Sequence, residues 1–288
     1  MSLDTLTIAE MASAPGPCAL ARVKHDLVVN TTAPVLLEQT RHNIGLGLPE
    51  LDKNHPVRKG KASQLSLCGS APSLMANLGK LTGKVMAINA AIPALHEAGI
   101  VVDYAMIWDA TPEMDRYVCD IPGCEWLIAS RVNPKVIEKL LGLGQKVTLW
   151  HTATTDPEMM EVLAGRLQVF GGAQGITRGV FLVGALGYRD VHIFGADSSF
   201  GSETHIGGSL REENECTCVV EDQAFRTTFW MMAQAESWVE FVLPTLMNAG
   251  MKFTVHGNGL LPWAHQCYMR KVHPTLWQRA EKLWSRFT

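Results

Sequence analysis

No run of apolar residues in the sequence approaches the roughly 20 needed to span a bilayer. Positive charge is not in excess either: 25 Lys and Arg against 28 Asp and Glu leave a formal charge of -3. The first absence argues against a membrane-embedded chain. The second argues against a nucleic acid or an acidic lipid surface as partner, because each needs a clustered basic field. Arg58-Lys59-Gly60-Lys61 is too short and isolated to supply one. Seven cysteines are present, yet Cys216-Thr217-Cys218 and Cys119 with Cys124 both miss the two-residue spacing of zinc knuckles. An odd, irregular set in a chain of this size fits a reducing compartment. Asp4 and Glu10 stand where a basic n-region would be, no apolar h-region follows, and the expectation is a cytoplasmic protein. A Walker A phosphate loop, internal repeats and low-complexity tracts are also missing.

What is present is an ordinary globular composition, 47% hydrophobic and 18% charged over 288 residues. That is enough for one α/β domain with extensions. Residues 1–60 are punctuated by Pro15, Pro17, Pro34, Pro49 and Pro56, and only Val35 to Ile44 shows helical promise. This part reads as an N-terminal arm with no chemistry of its own. From Lys61 short apolar strands alternate with helix starts, the pattern of a mostly parallel sheet flanked by helices. Leu65 to Cys68 is a strand running into the turn Gly69-Ser70-Ala71-Pro72-Ser73 and a helix from Met75. Lys84 to Ile88 leads to Asn89 as the cap of a helix over 90–98, and Val101 to Trp108 ends in Asp109. Glu125 to Ala129, Lys146 to Trp150 and Asp190 to Ala196 are further strands. Thr111-Pro112, Asn133-Pro134 and Asp156-Pro157 each combine a cap with an N1 proline.

Gly171-Gly172-Ala173-Gln174-Gly175 forms a second small-residue turn ahead of a helix from Ile176 to Leu186. Residues 198–220 have the length of a lid or a plain surface loop. Glu221 to Asn248 reads as a long amphipathic helix that Pro244 kinks or interrupts, with its Met and aromatic stripe assigned to the core. Met251 to His256 is a last strand. The resulting division is an arm at 1–60, a Rossmann-like domain at 61–265 and a helical C-terminal tail at 266–288, with an amphipathic helix from Thr275 to Phe287.

Ligands of open parallel sheets collect at the C-terminal ends of the strands, near the point where strand order reverses. The residues expected there are Gly69 to Ser73, Asn89, Asp109, the 171–177 turn, Asp197 and Asn258. The first turn lacks the G-x-G-x-x-G pattern, since Ala71 and Leu74 replace two glycines, and Asn89 stands where a ribose-binding acid would be; both argue against NAD. Small residues and backbone N–H groups at Ser70 and Ser73 still suit a mononucleotide phosphate. His205, in a glycine-bounded loop after Asp197, has the titration range of a general base, although loop histidines are commonly only solvated. Asp109 reads equally as a Mg²⁺ ligand and as a helix cap.

Taken together, Cys68-Gly69-Ser70-Ala71-Pro72-Ser73-Leu74, Ile88-Asn89-Ala90, Trp108-Asp109, Gly171-Gly172 and Gly195-Ala196-Asp197-Ser198-Ser199-Phe200 with Thr204-His205 resemble the 6-hydroxymethylpterin diphosphokinase MptE-like family. That family includes the Maf-type motility-associated glycosyltransferases, and a related turn occurs in bacterial sialyltransferases. The resemblance runs over roughly residues 63 to 260. It implies a Rossmann-like domain that moves a group from a nucleotide donor, ATP with Mg²⁺ or a nucleotide sugar, to a hydroxyl acceptor. Under it His205, Asp197 and Asp109 become catalytic candidates, with Asp109 also the metal ligand. Gly69, Ser70, Pro72, Ser73, Asn89, Gly171, Gly172, Gly175 and Thr177 become donor-binding candidates. Ala71 departs from the family's second glycine, which puts the close approach of phosphate to that turn in question. A non-catalytic nucleotide-binding module is the competing class. The partners implied are small molecules, with no nucleic acid, no membrane and room for a homo-oligomer.

Overall fold

The computed structural model describes residues 31–52, 64–172, 174–201 and 215–272. His205, Thr204, Ala173, most of the N-terminal arm and the expected helix from Thr275 to Phe287 lie outside the described residues. The central feature is an eight-stranded, fully parallel sheet. Its strands are β1 (Gln64–Cys68), β2 (Lys84–Ile88), β3 (Tyr104–Ile107), β4 (Glu125–Ala129), β5 (Lys146–Thr152), β6 (Gln168–Val169), β7 (Asp190–Phe194) and, after a separate hairpin of β8 (Glu215–Val220) and β9 (Gln223–Thr228), β10 (Lys252–Val255). Their order is β10-β7-β1-β2-β3-β4-β5-β6.

The chain therefore winds outward from β1 to β6, then returns across the sheet to place β7 on the other side of β1. Strand order reverses between β1 and β7. Crossover helices cover both faces, so strands in the middle are buried on each side and read as continuous apolar runs. Leu65, Leu67 and Cys68 of β1 have no exposed surface. Ser66, the polar exception, donates its hydroxyl to Thr82 O at 2.7 Å and accepts from Thr82 N–H at 2.8 Å, so its burial leaves nothing unpaired. Trp126 and Trp150 fill the β4–β5 side, with their indole N–H groups donating to Gln145 Oε1 at 3.0 Å and Leu127 O at 3.2 Å.

Helices α1 (Ala33–Gly45), α2 (Ser73–Ala76), α3 (Ala91–Glu97), α4 (Pro134–Gly142), α5 (Pro157–Val162) and α6 (Gly175–Leu186) follow the expected grammar closely. Asn133 and Asp156 each accept a backbone N–H of the first turn and carry proline next to the cap. Pro112 instead opens a 3₁₀ helix over Pro112–Tyr117. Asn89 does not cap α3: the N-cap is Ala90, and Asn89 sits one residue earlier with φ +50°.

The largest departure lies at 215–228. The long helix expected from Glu221 is an antiparallel hairpin there, β8 (Glu215–Val220) and β9 (Gln223–Thr228), joined at Glu221, whose φ is +55°. Phe225 and Phe229 are spaced like helix neighbours, but Thr227 and Thr228 favour extended backbone. The helix starts only at α7 (Phe229–Ser237), with the Thr228 hydroxyl accepting Met231 N–H at 3.3 Å. A π-helical turn over Trp238–Val242 then joins it to α8 (Leu243–Asn248). Pro244 lacks the N–H a regular helix would use there, and the wider turn absorbs that gap without ending the helix. Helix α9 (Leu260–Val272) had no counterpart in the sequence reading. Its buried His265 accepts Trp238 Nε1–H at 3.3 Å, and burial pushes its pKa down to about 4. Among the described residues no helix is long and apolar enough to cross a membrane.

Candidate functional site

A cavity of about 210 Å³ opens at the β1/β7 reversal. Its walls come from the ends of three strands and the starts of two helices: Gly69, Ser70 and Ala71 after β1, Ile88 and Asn89 after β2, and Gly195 to Ser199 after β7. Gln174, Gly175 and Ile176 open α6, and Met231 and Gln234 come from α7. Of the expected site residues the structure brings Gly69, Ser70, Asn89, Gly175 and Asp197 to this wall. Pro72, Ser73, Asp109, Gly171, Gly172 and Thr177 do not line it, nor does Asn258, which is exposed in the loop that packs on Asp197.

The first turn is braced to β7. Gly69 N–H donates to Phe194 O at 2.8 Å and Ala71 N–H to Gly195 O at 3.0 Å. These two amides are occupied, so the turn presents Ser70 to the cavity and has no open nest of N–H groups. The contact explains the glycine pair: a Cβ on Gly69 would lie 2.5 Å from Gly195 O, and one on Gly195 2.3 Å from Gly69 O.

Asp197 is the one acidic group among the described residues of the wall. Its Oδ1 accepts the Ser73 hydroxyl at 2.6 Å and its Oδ2 the Ser73 N–H at 3.4 Å. Burial raises its pKa above the ordinary carboxylate value, and the two Ser73 hydrogen bonds oppose that rise. Gly257 lets the loop after β10 close over the pair, since a Cβ there would sit 2.7 Å from Asp197 Oδ1. Ser73→Ala is expected to move the Asp197 pKa further up by removing the hydroxyl bond and leaving a buried acceptor unpaired. Carbonyl-labelled aspartate NMR titrations of parent and variant check it; an unmoved titration would mean Ser73 only caps α2.

Asn89 holds a left-handed conformation that asparagine tolerates better than most residues. Its Oδ1 is shielded from solvent and has no hydrogen-bond partner among the described residues. A polar atom left unpaired beside a cavity marks a position for a ligand or water. Ser198 is also left-handed, at φ +52°, and its hydroxyl donates to Gln234 Oε1 at 2.9 Å. Gln234 escaped the sequence reading because α7 looked like core; a lone glutamine inside Met-Met-Ala-Gln-Ala was the available signal.

The second glycine turn serves α6 itself. A Cβ on Gly172 would meet Thr177 Oγ1 at 2.3 Å and one on Gly171 would meet Arg178 Cδ at 2.9 Å. Thr177 is buried, and its hydroxyl donates to Gln174 O at 2.9 Å and accepts Gln174 N–H at 3.3 Å, closing the helix start. Asp109 Oδ1 accepts Thr111 N–H at 3.1 Å, the cap-like arrangement. Among the described residues no three His, Cys, Asp or Glu side chains gather as a metal-holding group.

A serine–histidine–glutamate relay also exists: His151 Nδ1 lies 3.0 Å from Ser130 Oγ and Nε2 lies 3.2 Å from Glu50 Oε2. His151 has no exposed surface and Ser130 is 2% exposed, so this chain of bonds ties residue 50 to the sheet and reaches no substrate.

Comparison with known proteins agrees with this architecture. Curated protein sequences yield no match. The structure of the Maf glycosyltransferase from Magnetospirillum magneticum AMB-1 superposes with a TM-score of 0.52 at 12% identity. The alignment covers 84% of this chain and 41% of that one, so the chain spans about two fifths of the glycosyltransferase and shares its fold. A mammalian sialyltransferase in complex with Gal-beta-1-3GalNAc-ortho-nitrophenol aligns at 11% identity, over 80% of this chain and 81% of that one, with a TM-score of 0.39. The family described as 6-hydroxymethylpterin diphosphokinase MptE-like matches residues 39–203, more than half of the sequence, a span that holds every expected site residue except His205 and Asn258. By that match the chain belongs to the MptE-like family.

Proposed function

We propose that the protein is a nucleotide-dependent transferase that moves a diphosphoryl group from a nucleoside triphosphate to a hydroxyl acceptor. The observation that carries this reading is the cavity at the β1/β7 reversal, where the start of α6, the Ser70 turn, Asn89 and a buried, serine-bonded carboxylate converge. The N-terminus of α6 favours negative charge, and the small side chains of the wall leave room for phosphate oxygens. The acceptor oxygen attacks the β-phosphorus, the bond from that phosphorus to the α-phosphate oxygen breaks, and a nucleoside monophosphate leaves. Asp197, or His205 in the segment that follows it, takes the hydroxyl proton. A carboxylate raised by burial is better matched to a proton transfer near neutral pH than an ordinary surface carboxylate.

Mg²⁺ is compatible with the donor set, because this ion is commonly held by one or two carboxylates together with substrate phosphates. Asp109 is the carboxylate that would hold it, from a position beside the cavity rather than in its wall, with its Oδ1 accepting Thr111 N–H. When bound, the ion neutralises charge on the transferring phosphates.

The test is a product assay on the full chain with ATP, GTP, CTP, CMP-sugars and UDP-sugars, run against Asp197→Asn and His205→Ala. Nucleoside monophosphate from a triphosphate, lost in at least one variant with binding retained, supports the reading. Turnover of a nucleotide sugar alone replaces it with glycosyl transfer. Binding without turnover of any donor makes the chain a nucleotide-binding module.

A further inference from the structure

The segment after β7 brings Asp197, Ser198 and Ser199 to the cavity, and Ser198 turns it there in a demanding conformation. Its φ is +52°, the left-handed region that few residues other than glycine, asparagine and aspartate occupy. A strained residue of this kind persists only where its surroundings over-determine it, and such residues cluster at active sites and ligand clamps.

Three later elements supply that hold. From β9 the Thr227 hydroxyl donates to Ser198 O at 2.8 Å, and Phe200 N–H donates to Arg226 O at 2.7 Å. From α7, Gln234 Oε1 accepts the Ser198 hydroxyl at 2.9 Å, so Ser198 is gripped at both its main chain and its side chain. From the start of α9, Leu261 N–H donates to Asp197 O at 3.0 Å and Leu260 N–H to Ser199 Oγ at 3.1 Å. Thr227 has no exposed surface, which removes water as a competitor for its hydroxyl; the second acceptor within reach, Thr228 O at 3.2 Å, is the more distant one. Every one of these braces except Phe200 N–H follows residue 203, where the match to the MptE-like family ends. The matched span thus supplies Asp197 and Ser198, and the hairpin, α7 and α9 hold them in place.

We infer that Thr227 and Gln234 are positioning residues: they hold Ser198 left-handed and so fix the Asp197 carboxylate on Ser73 at the cavity wall. A left-handed residue bends the chain sharply off the line of β7. With either brace gone, Ser198 is free to relax toward the common backbone regions, the bend opens, and water reaches Asp197. The positioning stands on this geometry alone; its consequence for turnover rests on the proposed role of Asp197 as proton acceptor.

The test is a carbonyl-labelled aspartate NMR titration of the full chain as parent, Thr227→Val, Thr227→Ser and Gln234→Leu, with Thr217→Val on the exposed face of the same hairpin as control. Valine keeps the branched shape of threonine and removes the hydroxyl. In Thr227→Val, Asp197 is expected to titrate lower than in the parent, because burial is what raises it and the opened bend admits water. Thr227→Ser should restore the parent curve and Thr217→Val should leave it unchanged. Should Thr227→Val fail to fold, as read by circular dichroism, Gln234→Leu carries the same expectation through the other bond. A folded Thr227→Val or Gln234→Leu with the parent's titration overturns the inference, and so does Thr227→Ser titrating like the valine variant. Nucleoside monophosphate formation is then followed against pH. Thr227→Val is expected to lose up to ~100-fold in kcat with the KM for the triphosphate little changed, the cost of a misplaced group, and the acidic limb should move with the titration. Shifted titrations without turnover of any donor keep the positioning and remove the donor reading; turnover with unshifted titrations does the reverse.

Discussion

Asp197→Asn is expected to lower turnover by roughly 10²–10⁴-fold, the usual contribution of a positioned acid or base, while making the fold more stable at neutral pH. The two effects have one cause. Burial raises the Asp197 pKa in the folded chain despite two hydrogen bonds from Ser73. A carboxyl whose folded pKa is raised binds its proton more tightly when folded. Its stability contribution is complete below the ordinary carboxylate pKa and is lost as pH rises through the raised value. Asparagine does not ionise, so the variant should escape that loss, and its advantage should vanish at acidic pH. Urea midpoints of parent and variant across pH 4 to 8, alongside product formation, check both halves. A variant that keeps full turnover removes Asp197 from the mechanism. One equally destabilised at every pH makes it a structural hydrogen-bond acceptor only. Loss of activity with gain of stability is the usual signature of a group retained for function.

Gly195→Ala is expected to destabilise the protein by about 2–5 kcal/mol. Gly195 has φ +60°, a region that costs an L-residue about 1–2 kcal/mol. Its Cβ would also lie 2.3 Å from Gly69 O and 3.0 Å from Leu74 Cβ, and forced overpacking costs typically 1–3 kcal/mol more. Neither neighbour can move freely, because Gly69 is hydrogen-bonded to β7 through Phe194 O and Leu74 is buried. Gly201→Ala is the control, since a Cβ there meets nothing within 4 Å. A loss below about 1 kcal/mol at Gly195, measured by denaturant unfolding, would mean the two turns are not packed as described.

The sheet was readable from sequence wherever a strand is buried on both faces. β1, β2 and β4 announce themselves as short apolar runs, and the caps at Asn133-Pro134 and Asp156-Pro157 fix the helices that follow. The hairpin at 215–228 was not readable, because Phe225 and Phe229 carry a helical spacing while the register of β8 against β9 is set by a turn at Glu221. α9 is tied to residues far away in the chain, to Trp238 through His265 and to the Val220 carbonyl through Trp263, so no local pattern announces it. The same locality limits the site. Gly69, Ser70, Asn89, Gly175 and Asp197 could be placed at strand and helix ends by rule, and the structure gathers them. The Ser73–Asp197 bond spans 124 residues, so no local pattern encodes it. Conversely, Gly171 and Gly172 looked like a phosphate turn but make room for the first turn of α6.

With the β1/β7 reversal as the proposed donor site, hydrogen exchange of the full chain with each nucleotide, read by mass spectrometry, reports where a donor binds. A ligand that binds only the native state slows exchange where it stabilises the backbone. The expected result is slower exchange in peptides covering 69–71, 174–178 and 195–199. Protection confined to other parts of the chain, or none with any of the nucleotides, would contradict it.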